Sequence, residues 1–302
     1  MSNFIHFETI TEMFKLLPKA SVKHPLIAVI DFSKYREEIN SEIKMTSGCY
    51  SIMFKNHCVN KLKYGQKTID FQDGSLVCIG PRQVIALDEP SEDKSEINGW
   101  GVFFHPDLIR GTSLGRSIKE YTFFSYETNE ALHLSDREKD TLNEIVQKID
   151  VELSENIDQH SQTLIVSNIE LLLNYCRRYY DRQFITRKTA NSDLLSKIEN
   201  VLTQYFQATN LKEEGLPTVK YLADQVFLSS NYLSDLLKRE TGMNAQDRIH
   251  YYLIEEAKNL LLSSDKTVSE LAYTLGFEYP QYFSRLFKSK TGMTPLEYRN
   301  LN

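Results

Sequence analysis

The sequence predicts an α+β protein: a small antiparallel barrel or jelly roll in the first half, a helical segment after it, and an all-α domain with two helix-turn-helix units at the end. Three observations support this. Between residues 25 and 104, short runs rich in β-branched and aromatic residues alternate with turn residues. From residue 135 onward, apolar residues recur at helical spacing. In the last third one motif occurs twice, at residues 218–248 and 267–299. With 302 residues and 41% hydrophobic content, the chain has material for a core in each of two domains.

The strand candidates are LIAVIDF, CYSIMFK, KLKYG with KTIDFQ, SLVCIG, QVIAL and GWGVFFH, punctuated at Gly65, Asp73-Gly74, Gly80-Pro81 and Glu89-Pro90. Several short strands at this spacing suit a small barrel or jelly roll. A metal centre in such a barrel needs imidazoles and a carboxylate converging on one ion. His24, His57 and His105 are isolated and no H-x-H pair occurs, so neither metal nor cofactor is expected. Ser113 lies in GTSLG, which lacks the G-x-S-x-G spacing of a hydrolase elbow, and no other catalytic constellation is present. An enzyme is therefore not expected. Tyr50, Trp100 and Phe103 could line an effector pocket, but aromatics on alternating strands are more often core. Cys49, Cys58, Cys78 and Cys176 show no C-x-x-C spacing, so reduced, buried thiols in a cytoplasmic protein are the simplest reading. Neither a signal peptide nor a membrane-length apolar run is visible, so no membrane partner is expected.

Helices are predicted over residues 135–158 and 162–184. The polar, nonperiodic stretch ITRKTANSD, residues 185–193, reads as a linker between a domain at 1–184 and another at 194–302.

In the last domain the two copies fall on one ladder. Thr218 maps to Thr267 at a shift of 49 and Gly242 to Gly292 at a shift of 50, so the second copy has gained one residue in its turn. In the first copy Val219, Leu222, Ala223 and Val226 make one apolar stripe, and Leu233, Leu236 and Leu237 make the next after Leu228. In the second, Val268, Leu271, Ala272 and Leu275 precede Phe277, with Phe283, Leu286 and Phe287 following. Ala223 and Ala272 suit the close crossing of two steeply inclined helices. Gly276 suits a turn with positive φ, whereas Phe227 holds that place in the first copy, so its turn is expected to be built differently. Ser229 or Ser230 can cap one second helix, Pro280 fits the first turn of the other, and both close at Thr-Gly. Residues 245–263 contain neither Gly nor Pro and read as one continuous helix, about 27 Å long at 1.5 Å per residue. Helix-turn-helix units at 218–242 and 267–292 point to DNA.

The stretch LGFEYPQYFSRLFKSKTGMTPLEYR, residues 275–299, resembles the signature of the AraC/XylS family of bacterial transcription regulators. The likeness covers about the last third of the chain; the remainder is similar only in arrangement. It implies a sequence-specific regulator binding double-stranded DNA, with a cupin-like N-terminal domain that senses a small-molecule effector, helices that pair into a homodimer, and a contact with RNA polymerase. A constitutive regulator that only dimerises, and a cupin-like enzyme with a DNA-binding tail, are the alternatives. The resemblance assigns base reading to Asn231, Ser234 and Asp235 in the first unit and to Pro280, Gln281, Ser284 and Arg285 in the second. Lys238, Lys288 and Lys290 read as phosphate contacts, Lys238 and Lys288 holding matching places in the two copies, and Ser230, Tyr232 and Tyr282 are set with them. From Asn191 onward there are 12 Lys and Arg against 14 Asp and Glu. Weak nonspecific affinity is the expectation from that balance.

Overall fold

The computed structural model describes residues 3–16, 22–34, 43–55, 63–64, 67–68, 74–87, 98–127, 130–155, 158–186, 188–208 and 211–300. It divides into two units, Met1–Thr186 and Arg187–Asn302.

In the first unit, strands β1 (Asn3–Phe7), β2 (Ile27–Asp31), β3 (Ile43–Ser47), β4 (Tyr50–Lys55), β5 (Lys63–Tyr64), β6 (Lys67–Thr68), β7 (Ser75–Ile79), β8 (Ile85–Leu87), β9 (Gly99–Phe104) and β10 (Leu132–His133) are accompanied by α1 (Ile10–Lys15), α2 (Pro106–Ile109), α3 (Ser113–Ser117), α4 (Asp136–Glu152) and α5 (Ser161–Thr186). The strands form a five-stranded antiparallel sheet ordered β10-β7-β4-β9-β2, a three-stranded sheet β1-β3-β8 and the pair β5-β6. β1 runs parallel to β3. The expected strands recur as β2 and β4 to β9, whereas β1, β3 and β10 lie outside the runs read from the sequence. Gly65, Asp73 and Glu89-Pro90 fall outside the described residues.

Among the described residues the strands form an antiparallel sheet that does not close into the expected barrel. The five-stranded sheet stops at β10 for a physical reason. Gln183 of α5 accepts from the His133 N–H (2.8 Å) and donates to the Ala131 carbonyl (3.2 Å), while Arg182 donates to the His133 carbonyl (2.6 Å). These side chains take the outward backbone groups that another strand would pair with. Arg182 also grips Glu138 of α4 through two hydrogen bonds, at 2.7 and 3.1 Å.

The three aromatics considered for a pocket are all engaged. Tyr50 stacks on Phe104 at 5.1 Å, Trp100 donates its indole N–H to Asn143 Oδ1 at 2.7 Å, and Phe103 is buried with Phe7, Ile10 and Met13. His24 and His105 each accept a local backbone N–H, from Leu26 and Asp107. Cys49, Cys78 and Cys176 are buried free thiols, and burial pushes Cys49 up to about 12. His57 and Cys58 lie outside the described residues.

The second unit holds α6 (Lys188–Ala208), α7 (Leu211–Glu214), α8 (Val219–Val226), α9 (Ser230–Thr241), α10 (Ala245–Ser263), α11 (Val268–Thr274), α12 (Pro280–Thr291) and α13 (Pro295–Asn300). The stretch at 185–193, expected as a linker, is helical on both sides of residue 187. It contains no Gly or Pro to stop a helix, and Asn191 is buried and donates to Glu240 Oε1 at 2.9 Å. Two hydrophobic cores follow. The first gathers Ile198 and Leu202 of α6, Leu222 and Ala223 of α8, Leu233 and Leu237 of α9, and Ala245 and Ile249 of α10. The second gathers Leu253, Ala257 and Leu261 of α10 with Leu271 and Ala272 of α11 and Phe283 and Phe287 of α12. The front half of α10 closes one core while its back half opens the other.

Candidate nucleic-acid interface

Each unit begins with a threonine cap. Thr218 Oγ1 accepts from the Tyr221 N–H (3.0 Å) and Thr267 Oγ1 from the Glu270 N–H (3.3 Å), satisfying donors that a helix start leaves open. Ala223 and Ala272 are buried at the helix crossing. The Leu228 N–H donates to the Ala223 carbonyl (3.0 Å) and the Phe277 N–H to the Ala272 carbonyl (2.9 Å), the same closing bond 49 residues apart.

That bond requires a left-handed residue before the donor. Gly276 supplies it at φ 83°, and Phe227 adopts it as well, at φ 57° and ψ 46°. The expectation of a differently built first turn is therefore overturned: the closing bond dictates the backbone whatever side chain occupies the place. The Phe227 ring stands 60% exposed with Lys197 Nζ 5.4 Å from its centroid. At Gly276 a Cβ would come within 2.4 Å of the Leu211 carbonyl oxygen, so only glycine fits. The turns diverge one step later. Ser229 caps α9 by accepting from the Tyr232 N–H at 3.2 Å, whereas α12 starts after Tyr279, which makes no side-chain cap bond and is followed by Pro280. Glu278 is thus the extra residue of the second turn. Both helices end at a left-handed glycine, Gly242 and Gly292.

The caps and cores fix which faces remain open. On α9, Asn231 is exposed and Ser234 and Asp235 are half-buried, beside the half-buried Ser230. On α12, Gln281 and Arg285 are exposed, with Pro280 and Ser284 half-buried. The sets 231/234/235 and 281/284/285 share one i, i+3, i+4 spacing, so each lies on a single helix face. Lys238 and Lys288 occupy matching exposed places further along. Tyr282 is 53% exposed and meets Tyr279 edge-on at 5.9 Å. Tyr232, its mate in the first unit, is only 6% exposed, so the structure sets it in the packing and apart from the open face. Lys290 is engaged too: its Nζ donates to Asp247 Oδ1 at 2.8 Å, and this bond holds the Asp247 carboxyl below its usual range.

Reading the sequence missed three contacts here. Besides Lys290 with Asp247, Arg248 of α10 pairs with Glu199 of α6, and Arg299 donates to the Leu261 carbonyl at 3.0 Å. Their partners stand 38 to 49 residues away, beyond any local periodicity.

Residues 222–301 match the model of a helix-turn-helix domain. The chain is similar to the HTH-type transcriptional regulator YijO of Escherichia coli (strain K12), with 26% identity over 192 residues that make up 64% of each chain. It is similar to the xylose operon regulatory protein of the same organism, with 33% identity over 84 residues, 28% of this chain and 21% of that one. A solved transcriptional regulator from Chromobacterium violaceum, described among AraC-type DNA-binding domain-containing proteins, is 19% identical with a TM-score of 0.32, covering 37% of this chain and 94% of that one. The chain spans less than two thirds of the length of these two curated relatives.

Proposed function

From the premise that residues 222–301 are a helix-turn-helix domain of the AraC type, we propose that the protein is a sequence-specific transcription regulator that reads two adjacent major-groove segments of duplex DNA. The observation that carries this is the repetition of one open polar face, behind one turn geometry, on α9 and α12, with the 19-residue α10 between the two cores. A helix of about 27 Å suits two reading heads on one face of a duplex whose major groove recurs every ~34 Å. In this reading Arg285 makes a bidentate pair with guanine and Gln281 pairs with adenine, each worth about 1–3 kcal/mol of discrimination. Asn231, Ser234, Asp235, Pro280 and Ser284 complete the base-facing set. Lys238 and Lys288, with Ser230 and Tyr282, hold phosphates and fix register.

The N-terminal unit, an opened relative of the cupin-like barrel in this proposal, supplies control and dimerisation. Support for a second copy of the chain as partner comes from α5, where Leu164, Leu171 and Ile185 are 48, 41 and 45% exposed at seven-residue multiples, with Arg178 at the remaining place. Three of the four places are apolar, and apolar residues recurring every seven positions form one line of the seam of paired helices. Effector control would act by favouring one arrangement of the paired DNA-binding domains, and RNA polymerase is the further partner of a regulator. The buried free thiols fit the reducing cytoplasm.

Selection of bound duplexes from a random pool, with wild type and Arg285→Ala in parallel, tests the function. Wild type is expected to enrich a bipartite motif with halves about 10 base pairs apart. The variant is expected to lose information at one position of one half. Enrichment of nothing by wild type, with the variant equally silent, would overturn the reading.

A further inference from the structure

Lys290 reads from the sequence as a phosphate contact, yet its ammonium is committed elsewhere. We infer that Lys290 is a positioning residue: with Asp247 it ties the tail of α12 to the head of α10 and so sets which separation of the two half-sites one chain accepts. This rests on the DNA-binding reading above.

Four features on the molecule support the tie. Its geometry is direct, 2.8 Å between Lys290 Nζ and Asp247 Oδ1, with each side chain little more than a third exposed. Each partner sits where its own helix favours it, the cation in the last turn of α12 and the anion in the first turn of α10, beside the bond from the Asp247 N–H to Asn244 Oδ1. Phe287 is the last buried residue of α12, so the direction of the final turn depends on surface contacts rather than on the core. Finally, the first unit has a tie in the same place. Glu240 stands in α9 where Lys290 stands in α12, counted from Gly242 and Gly292, and it accepts from Asn191 of α6 at 2.9 Å. α6 serves the first core as α10 serves the second. Both recognition helices therefore have their tails fastened to the helix that opens their own unit, by a neutral amide and a carboxylate in one case and by an ion pair in the other.

The consequence is specific to the second pair. Asp247 lies five residues beyond Gly242 and two before the core residue Ile249, so it belongs to the closing segment of the first unit. A bond from it to α12 couples the tilt of the second reading head to the body of the first. A lysine held this way presents DNA with a neutralised pair instead of a free charge.

The test uses the full chain, fluorescence anisotropy, and the duplex that wild type selects, remade with its half-sites one base pair closer and one further apart, over a range of salt. The ratio of affinities across the three spacings is the readout, because removing a carboxylate alone shifts absolute affinity. Asp247→Asn and Lys290→Gln are each expected to flatten the spacing preference by roughly two- to five-fold, the scale of a partly exposed ion pair. The salt slope of Lys290→Gln should stay unchanged, and the double exchange Asp247→Lys with Lys290→Asp should recover part of the preference. An unchanged spacing preference for Lys290→Gln, together with a salt slope lower by about 0.9, would make Lys290 an ordinary phosphate contact and overturn the inference. If wild type selects no duplex, the DNA-binding reading fails first and takes this inference with it.

Discussion

Phe227 and Gly276 occupy the same left-handed backbone position, and their side chains give opposite energetic accounts of it. For a non-glycine residue that conformation costs about 1–2 kcal/mol. Phe227→Gly would relieve this, but would lose about 0.5–1 kcal/mol to the freer unfolded chain and a similar amount with the Lys197 cation–π contact. The substitution is therefore expected to leave stability within about 1 kcal/mol of wild type. Gly276→Ala faces the conformational cost and a backbone oxygen 2.4 Å from the new Cβ, and should cost about 2–4 kcal/mol. Thermal melts of the two variants decide the matter; equal melting points would sink the account. This pair also marks how far the residues can be read without coordinates. The ladder Ala223/Ala272, the glycine caps and the Ser229 cap are local chemistry and were legible. The φ of Phe227 was not, because it is imposed by a bond between Leu228 and Ala223 that only two crossed helices create. Tyr232 is similar: its place in the repeat matches Tyr282, and packing alone separates the buried ring from the exposed one.

At the level of elements, period and composition located α10 to the residue and most of the strands, since both signals are carried within each segment. Where the sheet ends was hidden, because the edge of β10 is finished by Gln183 and Arg182 from a helix about 50 residues further along. The helical start of α6 was hidden for the same reason, as buried Asn191 finds its partner in α9. Gln183→Leu tests the edge. It keeps the volume and removes both bonds, leaving the His133 N–H and the Ala131 carbonyl unpaired at a cost of about 1–3 kcal/mol each. Loss of stability by that order, with faster exchange of the His133 amide, is the expected result. A variant as stable as wild type, with that amide still protected, would show that the edge does not depend on α5.

For the molecule as a whole, the exposed apolar residues of α5 make self-association the property to measure. Leu171→Lys places a charge in the middle of the repeat and is expected to shift sedimentation from dimer to monomer while the chain stays folded, since Leu171 is 41% exposed. Wild type that sediments as a monomer at tens of micromolar would remove the seam from the account. Within the second unit, the sharing of α10 between two cores has an effect on what changes the molecule can tolerate. Each residue added to or taken from that helix turns everything beyond it by about 100° and moves it by about 1.5 Å. One insertion would swing the second head away from the duplex face read by the first, whereas seven would return it to nearly the same bearing about 10 Å further on. The length of α10 thus behaves like the teeth of a gear: only whole steps of about two helical turns keep the second head on its bearing, and the duplex, whose groove returns to one face every ~34 Å, leaves even those steps without a groove to meet.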